Sequence, residues 1–334
     1  MRFKAAEKQE IIWMVERSDL GVNQTLNQLG IPKSTFYKWY KTYTEKGTIG
    51  LEPKAPGSRR QWNMIPPEEK NLVVSVALEF TELSPRELSC KLSDEQRVFI
   101  SESSVYRILK AKGLITSPAH ILLAAGNEFS KKTLFVHEMW QTDFTYFKIL
   151  GWGWYYLSTI LDDYSRYIVH WELCNTMKVE DVQSTVEQAI KKSGLKKYQR
   201  PILLSDNGSC YVAGELKDYL REMNIKAIHG RVAHPQTQGK IERYHRSMKN
   251  VVKLDNYFHP EELKESIAEF VEYYNHQRYH ESLDNVTSAD VYYGRKEQVL
   301  MERERIKKAS FKKRRQLFLQ RKLLHLNNET LSSN

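Results

Sequence analysis

At Val136 the hydrophobic rhythm of the chain changes, and with it the kind of structure the chain can form. MWQTDFTYF alternates with a period of two and is rich in aromatic residues, which predicts a strand. WYYLSTILDDYSRYIVHWEL reads as two more strands joined at a short DDYS turn. VEDVQSTVEQAIKKSG has helical spacing, RPILLSD is a buried strand ending on Asp206, AGELKDYLREMN is a helix and IKAIHG a short strand. GKIERYHRSMKNVVKL and HPEELKESIAEFVEYYN are helices. The order β-β-β-α-β-α-β-α-α predicts a mixed five-stranded sheet flanked by helices.

Ahead of Val136 the pattern is helical. Ile11, Ile12 and Val15 mark one apolar stripe, and Leu26 and Leu29 a second, short one stopped by Gly30. In IPKSTFYKWYKTY, Pro32 suits a first helical position. Phe36, Trp39, Tyr40 and Tyr43 fall on an inner face, and Lys33, Ser34, Tyr37, Lys38 and Lys41 are left outside. A short helix, a tight turn and a basic, aromatic helix make a helix-turn-helix pattern, although a plain three-helix bundle with a solvated basic face reads the same way. The stretch 51–65, rich in Pro, Gly and Arg, is a linker. Residues 66–115 repeat the helical theme: SPRELSCKL is one helix and ISESSVYRILKAKGL another. Ser101 would cap the latter, Ile100 and Val105 would clasp its start, and Gly113 would end it. In that second module Ser103 and Arg107 are the candidate DNA contacts. The organisation expected is 1–50 and 66–115 as helix-turn-helix modules, 116–136 as a connector, 137–296 as the α/β domain and 297–334 as a basic tail. Within the tail, 303–322 carries ten Lys or Arg against one Glu, which suits a basic helix or an arm lying on DNA.

A formal net charge of +10 and a pI near 9.2 favour a polyanionic partner, nucleic acid before an anionic membrane surface. MRFKAAEKQEII has no apolar run of the signal-peptide kind, and ILLAAG is too short to cross a bilayer, so a cytoplasmic protein is expected. Three widely spaced cysteines, Cys90, Cys174 and Cys210, form neither a disulfide framework nor a CxxC zinc site.

The chemistry is carried by acidic residues. Asp143 lies in the first strand of the α/β part, Asp206 ends the fourth, and Glu242 sits in the first turns of a helix. Carboxylates converging from two strands and a helix make an all-oxygen site that suits Mg²⁺ or Mn²⁺ rather than zinc. Singly, an acidic residue at a strand end more often caps a turn. Here the spacing adds weight: 35 residues separate Asp206 from Glu242. With TDFTY, SDNGS, HPQTQGKIERYHRSMK and the closing YNHQRYHESLDNVTSADVYYG, the chain from about Trp140 to Gly294 closely resembles the integrase-type catalytic core of retroviral integrases and insertion-sequence transposases. Ser288 stands where that ending often has proline.

The resemblance implies a ribonuclease H-like α/β core preceded by all-α helix-turn-helix modules, and a DNA transposase. Such an enzyme would bind the ends of a mobile element, nick them to free a 3′-hydroxyl and join that hydroxyl to another phosphodiester. It assigns two Mg²⁺ (or Mn²⁺) ions to Asp143, Asp206 and Glu242. It places Gln238, Lys240, Arg246 and Lys249 against DNA, and implies a loop before Glu242, hinged at Gly230 and Gly239, that orders when DNA binds. A homo-oligomer on double-stranded DNA, associated with the bacterial nucleoid, is expected, with no membrane and no small-molecule substrate. Asp162 and Asp163 read as turn residues, His229 and His234 as incidental to the hinge, and His276 with His280 as too few for a zinc site. On the Glu242 helix, Ile241, Tyr244, Met248 and Val251 are expected to pack on the sheet. A non-catalytic DNA-binding protein or decayed element copy is the alternative, and a structure-specific nuclease a third; the intact acidic triad and the paired helical modules argue against them.

Overall fold

The computed structural model describes residues 3–52, 62–115, 133–230, 239–252 and 257–331. Most of the expected linker and connector, the HPQTQ stretch with His234 and Gln238, and the last three residues lie outside them. The chain divides into two compact units, Met1–Met64 and Ile65–Asn334. Among the described residues no helix is long and apolar enough to cross a membrane.

In the first unit, α1 (Ala5–Glu16), α2 (Val22–Gln28) and α3 (Lys33–Lys46) are followed by a 3₁₀ turn over Gly47–Leu51. Ile11, Ile12, Val15, Leu26, Ile31, Phe36 and Leu51 form its core, with Trp39, Tyr40 and Tyr43 packed against them. Leu29, expected inside, is exposed. It is the last residue before Gly30 turns the chain at φ +67°, and Ile31 takes the inner position instead. Pro32 precedes the first turn of α3 as its cap rather than opening it.

The second unit begins with α4 (Pro67–Glu79), α5 (Pro85–Asp94) and α6 (Glu102–Ala111). Ser84 and Glu87 exchange bonds across the start of α5, each accepting from the other's backbone N–H, a capping box that sets where the helix begins. Ile100 and Val105 are fully buried together at the start of α6, while the Ser101 hydroxyl bonds its neighbours Ser103 and Ser104 and not the helix backbone.

The sheet follows: β1 (Met139–Ile149), β2 (Gly153–Asp162), β3 (Ile168–Cys174), α7 (Val179–Ser193), β4 (Ile202–Ser205), α8 (Ser209–Val212), α9 (Gly214–Glu222) and β5 (Lys226–His229). The strands lie in the order β3-β2-β1-β4-β5. The first three form an antiparallel meander, and β4 and β5 add to β1 in parallel. Helices cover both faces. Trp140 and Ile160 pack with α7 and α9, while Phe147, Leu157 and Leu161 pack with α10 (Gly239–Val252) and α11 (Pro260–His276). The inner face of α10 comprises Ile241, Tyr244, His245, Met248 and Val252. Val251, expected there, is exposed, because at about 100° per residue the stripe through Ile241 and Met248 continues to Val252.

A two-stranded pairing of β6 (Tyr279–His280) with β7 (Val286–Thr287) leads to α12 (Ser288–Tyr292). Ser288 is the first residue of that helix, the position where proline is tolerated because the N–H has no helical partner, so the departure from the expected proline leaves the backbone unchanged.

The chain then runs through α13 (Lys296–Leu331), which contains no Gly or Pro and is rich in strong helix formers. Its first half is held against the protein through two of its arginines. Arg303 forks onto Asp94 at 2.7 and 2.6 Å and donates to the Asn285 carbonyl at 2.8 Å. Arg314, buried, donates twice to Glu69, at 2.9 and 2.7 Å, and to the Phe99 carbonyl at 2.6 Å. These bonds tie α13 to the helical module of residues 66–115.

Candidate active site

The strand register carries two of the predicted carboxylates to the same end of the sheet. β1 and β4 pair in parallel as Met139 with Ile202, Trp140 with Leu203 and Gln141 with Leu204. The pairing ends there, and Asp143 and Asp206 each follow two residues beyond its last pair. β4 ends at Ser205, so Asp206 stands where the chain turns away from the sheet. Its Oδ1 accepts the Gly208 N–H at 2.9 Å. A Cβ on Gly208 would lie 3.0 Å from that oxygen, so glycine permits the close turn. The turn is also held from β5: Asn207 donates to the Gly230 carbonyl at 2.9 Å, and the Ser205 hydroxyl meets His229 Nδ1 at 3.0 Å.

Two groups beneath the turn register both charges. Burial pushes the Tyr211 phenol well above its usual range and raises the Cys210 thiol, and the negative charges of Asp143 and Asp206 add to both effects. The buried Tyr211 hydroxyl lies 3.4 Å from the hydroxyl of Thr142, the neighbour of Asp143.

Asp143 is largely covered, its side chain 22% exposed, and His245 of α10 meets its Oδ2 through Nδ1 at 3.3 Å. The other ring nitrogen of His245 lies 3.4 Å from the hydroxyl of Thr159, which pairs with Asp143 across β1 and β2. Glu242, exposed, lies one turn before His245 on the same helix. The start of α10 is pinned as well. The Ile241 N–H donates to Gln141 Oε1 at 3.1 Å, Gln141 donates to Asp163 Oδ1 at 2.7 Å, and the Lys240 ammonium donates to Asp163 Oδ2 at 2.7 Å and to its carbonyl at 2.8 Å. The expected DNA contact Lys240 is therefore engaged inside the protein.

Asp162 and Asp163 keep the turn role assigned to them, but buried. Asp162 accepts from the Ser165 backbone and hydroxyl and from the His137 N–H, and burial raises its carboxyl. His280 is half-buried, and its loss of solvent, with the charges of Arg278 and Arg166, pulls its imidazole down to about 3. His276 sits 3.8 Å from Glu272.

Asp143, Asp206 and Glu242 offer hard carboxylate oxygens, the donor type that Mg²⁺ and Mn²⁺ prefer. Among the described residues, no group of three or more His, Cys, Asp or Glu side chains is gathered tightly enough to hold an ion in this conformation. Of the other expected contacts, Arg246 is exposed, and Lys249 places its ammonium 4.7 Å from the Tyr146 ring. Lys33, Ser34, Tyr37, Lys38 and Lys41 are exposed along one side of α3. Ser103 and Arg107 are exposed on α6, with Arg107 Nε donating to the Ser103 carbonyl at 3.0 Å. Sequence reasoning passed over His245. Its signal was present, because it falls on the same stripe as Ile241 and Met248, where a histidine needs a polar partner.

Models of the integrase core domain match residues 136–235 and 223–287, and models of the homeodomain-like domain match residues 3–52 and 35–109. The putative transposase InsK for insertion sequence element IS150 of Escherichia coli is 29% identical over 140 residues, which cover 42% of this chain and 48% of that one. An uncharacterized transposase-like protein of Haemophilus influenzae is 30% identical over 143 residues, covering 42% and 64%. The chain thus spans about half to two thirds of the length of these relatives. Among solved structures, the HTLV-2 integrase catalytic core domain in complex with magnesium aligns at 21% identity with a TM-score of 0.39, over 48% of this chain and 98% of that one. With a mixed five-stranded sheet behind helical, homeodomain-like domains, the chain carries an integrase core domain and over that part is similar to transposases of insertion sequences.

Proposed function

We propose that the protein is a DNA transposase that nicks the ends of a mobile element and joins the freed 3′-hydroxyls to other DNA. The observation that supports this reading is the parallel β1–β4 pairing, whose two strands carry Asp143 and Asp206 just beyond its end, with Glu242 on a helix anchored to Asp143 and Gln141. Asp143, Asp206 and Glu242 would hold two Mg²⁺ (or Mn²⁺) ions. When bound, such a pair supplies Lewis-acid support for the attacking and leaving oxygens of an in-line phosphoryl transfer.

This chain's own residues do the positioning. His245 engages one oxygen of Asp143, which leaves the other available to an ion. The Gln141–Asp163–Lys240 bonds fix the first turn of α10, which carries Glu242. In the nicking step water adds to phosphorus and the bond to the 3′-oxygen breaks. In the joining step the freed 3′-hydroxyl adds to a second phosphodiester, whose own 3′-oxygen leaves. The exposed cations of α3, with Ser103 and Arg107 of α6, would hold the element ends. Arg246 and Lys249, beyond Glu242 on the same helix, would meet the phosphates of the reacting strand, within a homo-oligomer on double-stranded DNA.

Asp143→Asn, Asp206→Asn and Glu242→Gln are each expected to abolish nicking and joining of element-end DNA in Mg²⁺ while leaving end binding intact. Robust cleavage by any of the three would remove that residue from the site.

A further inference from the structure

We propose that the open edge of β1 beyond Asp143 is a stacking platform for an unpaired DNA strand. The inference rests on the reading of the protein as a DNA-processing enzyme and names which part of the DNA meets this surface. β4 pairs with β1 only over Met139–Gln141, so from Asp143 onward β1 is paired on one side alone, with β2. Along that free edge Tyr146 is 53% exposed and, across the hairpin, Trp154 is 50% exposed. The two rings meet edge to face with centroids 5.3 Å apart. In the β1–β2 register Tyr146 pairs with Tyr156 and Lys148 with Trp154, so Tyr146, Lys148 and Trp154 share one face of the ribbon.

Each ring has a lysine beside it. Lys148 Nζ lies 5.7 Å from the Trp154 centroid, and Lys249 Nζ lies 4.7 Å from that of Tyr146. Lys249 belongs to α10, which packs on the opposite face of the sheet from Tyr146. Its ammonium reaches Tyr146 because no strand covers the edge between them. The platform is thus built by the strand that carries Asp143 and the helix that carries Glu242. Tyr146 stands three residues past Asp143, about 10 Å along the strand.

Half-exposed aromatic rings interleaved with ammonium groups fit one class of partner best. Nucleobases offer faces for stacking while their phosphates take up the lysines. A duplex keeps its base faces inside and would engage the cations alone. A protein surface would have to cover two lysines on a chain of net charge +10. An unpaired segment flanking the scissile phosphate matches the exposed rings and the positive charge beside them.

The test uses the full chain in EDTA, where no cleavage occurs, and reads fluorescence anisotropy of a labelled oligothymidylate and of a labelled blunt duplex. Tyr146→Ala and Trp154→Ala are each expected to weaken single-strand binding about ten-fold and duplex binding less than about two-fold. Tyr146→Phe and Trp154→Phe, which keep a ring, are expected to bind like the parent, and circular dichroism melts establish that all four variants fold. Equal single-strand affinity for parent and alanine variants would overturn the proposal. So would a parallel loss on duplex, which marks a general phosphate contact, or a smaller assembly in sedimentation with DNA binding unaltered, which marks a subunit interface. Because binding is read without metal, a failure of the carboxylate assignment leaves this result standing, and a failure here leaves the nicking assay untouched.

Discussion

Removing the carboxylate of Glu69 is expected to cost more stability than any single change on the protein's surface. Glu69 and Arg314 have side chains only 9% and 3% exposed, and the guanidinium spends two of its donors on that carboxylate and one on the Phe99 carbonyl. In Glu69→Ala the guanidinium stays buried with a single neutral acceptor. Stranding one partner of a buried pair costs about 3–5 kcal/mol. Arg314→Met keeps an apolar stem of similar length but leaves the carboxylate and the Phe99 carbonyl without their donor, so a loss of the same order is expected. The double variant Glu69→Leu/Arg314→Met buries apolar groups in place of both charges and is expected within about 1 kcal/mol of the parent. Urea unfolding of the full chain measures these values, and hydrogen exchange at Phe99 and its neighbours localises the opening. Single variants that lose less than about 1 kcal/mol, or a double variant as unstable as the sum of the two, would refute the reasoning. DNA binding separates the same idea from its rival. A phosphate-binding arginine contributes about one unit to the salt slope, whereas Arg314→Met is expected to leave the slope unchanged.

His245→Ala is expected to weaken Mn²⁺ binding and nicking by about 10–100-fold, with His245→Asn, whose amide overlays Nδ1, recovering much of the loss; equal Mn²⁺ affinity in the alanine variant would return His245 to a packing role. Alanine at Lys33, Lys38 and Lys41 together is expected to weaken element-end binding and to lower its salt slope by about three units at most, read by anisotropy across a salt series; an unaltered slope would take α3 off the DNA. His280 gives a pH dependence whose sign is fixed by burial. The folded imidazole stays neutral down to about 3 while the unfolded one takes a proton near 6.5, so stability is full above the unfolded value and falls as pH drops below it. At about pH 5.5 the loss is about 1.4 kcal/mol. His280→Phe is expected to remove that loss, and urea midpoints that fall equally in parent and variant would show that other groups are responsible.

The sheet was legible because its strands announce themselves locally. MWQTDFTYF and the DDYS turn carry their own periodicity and turn chemistry, and Asp206 ends an apolar run. The carboxylates were legible because one interval, from Asp206 to Glu242, lies within a strand–helix–strand–helix succession whose order fixes where both ends go. What could not be read depends on partners far away in sequence. Arg303 and Arg314 sit in a stretch that looks uniformly basic, yet their acceptors are Asp94 and Glu69, 209 and 245 residues earlier. Lys240 has the charge of a DNA contact, and only the fold reveals Asp163 beneath it. Val251 and Val252 are identical in chemistry, and a single step of helical phase decides which one is buried.

The clasp between α13 and the helical module of residues 66–115 also sets an order in time. Glu69 leaves the ribosome early, and Arg314 follows 245 residues later, which at about 5–20 residues per second is a delay of about 12–50 s. Throughout that interval the module can close its own core around Val73, Leu88 and Leu92, but the carboxylate of Glu69 lacks its arginine. A nascent chain therefore carries an unfinished helical module while the sheet and its acidic residues are already being laid down. The helix that locks the module in place is synthesised after the sheet, so a message broken before Arg303 would yield a polypeptide with its acidic residues in place and its helical module unclasped.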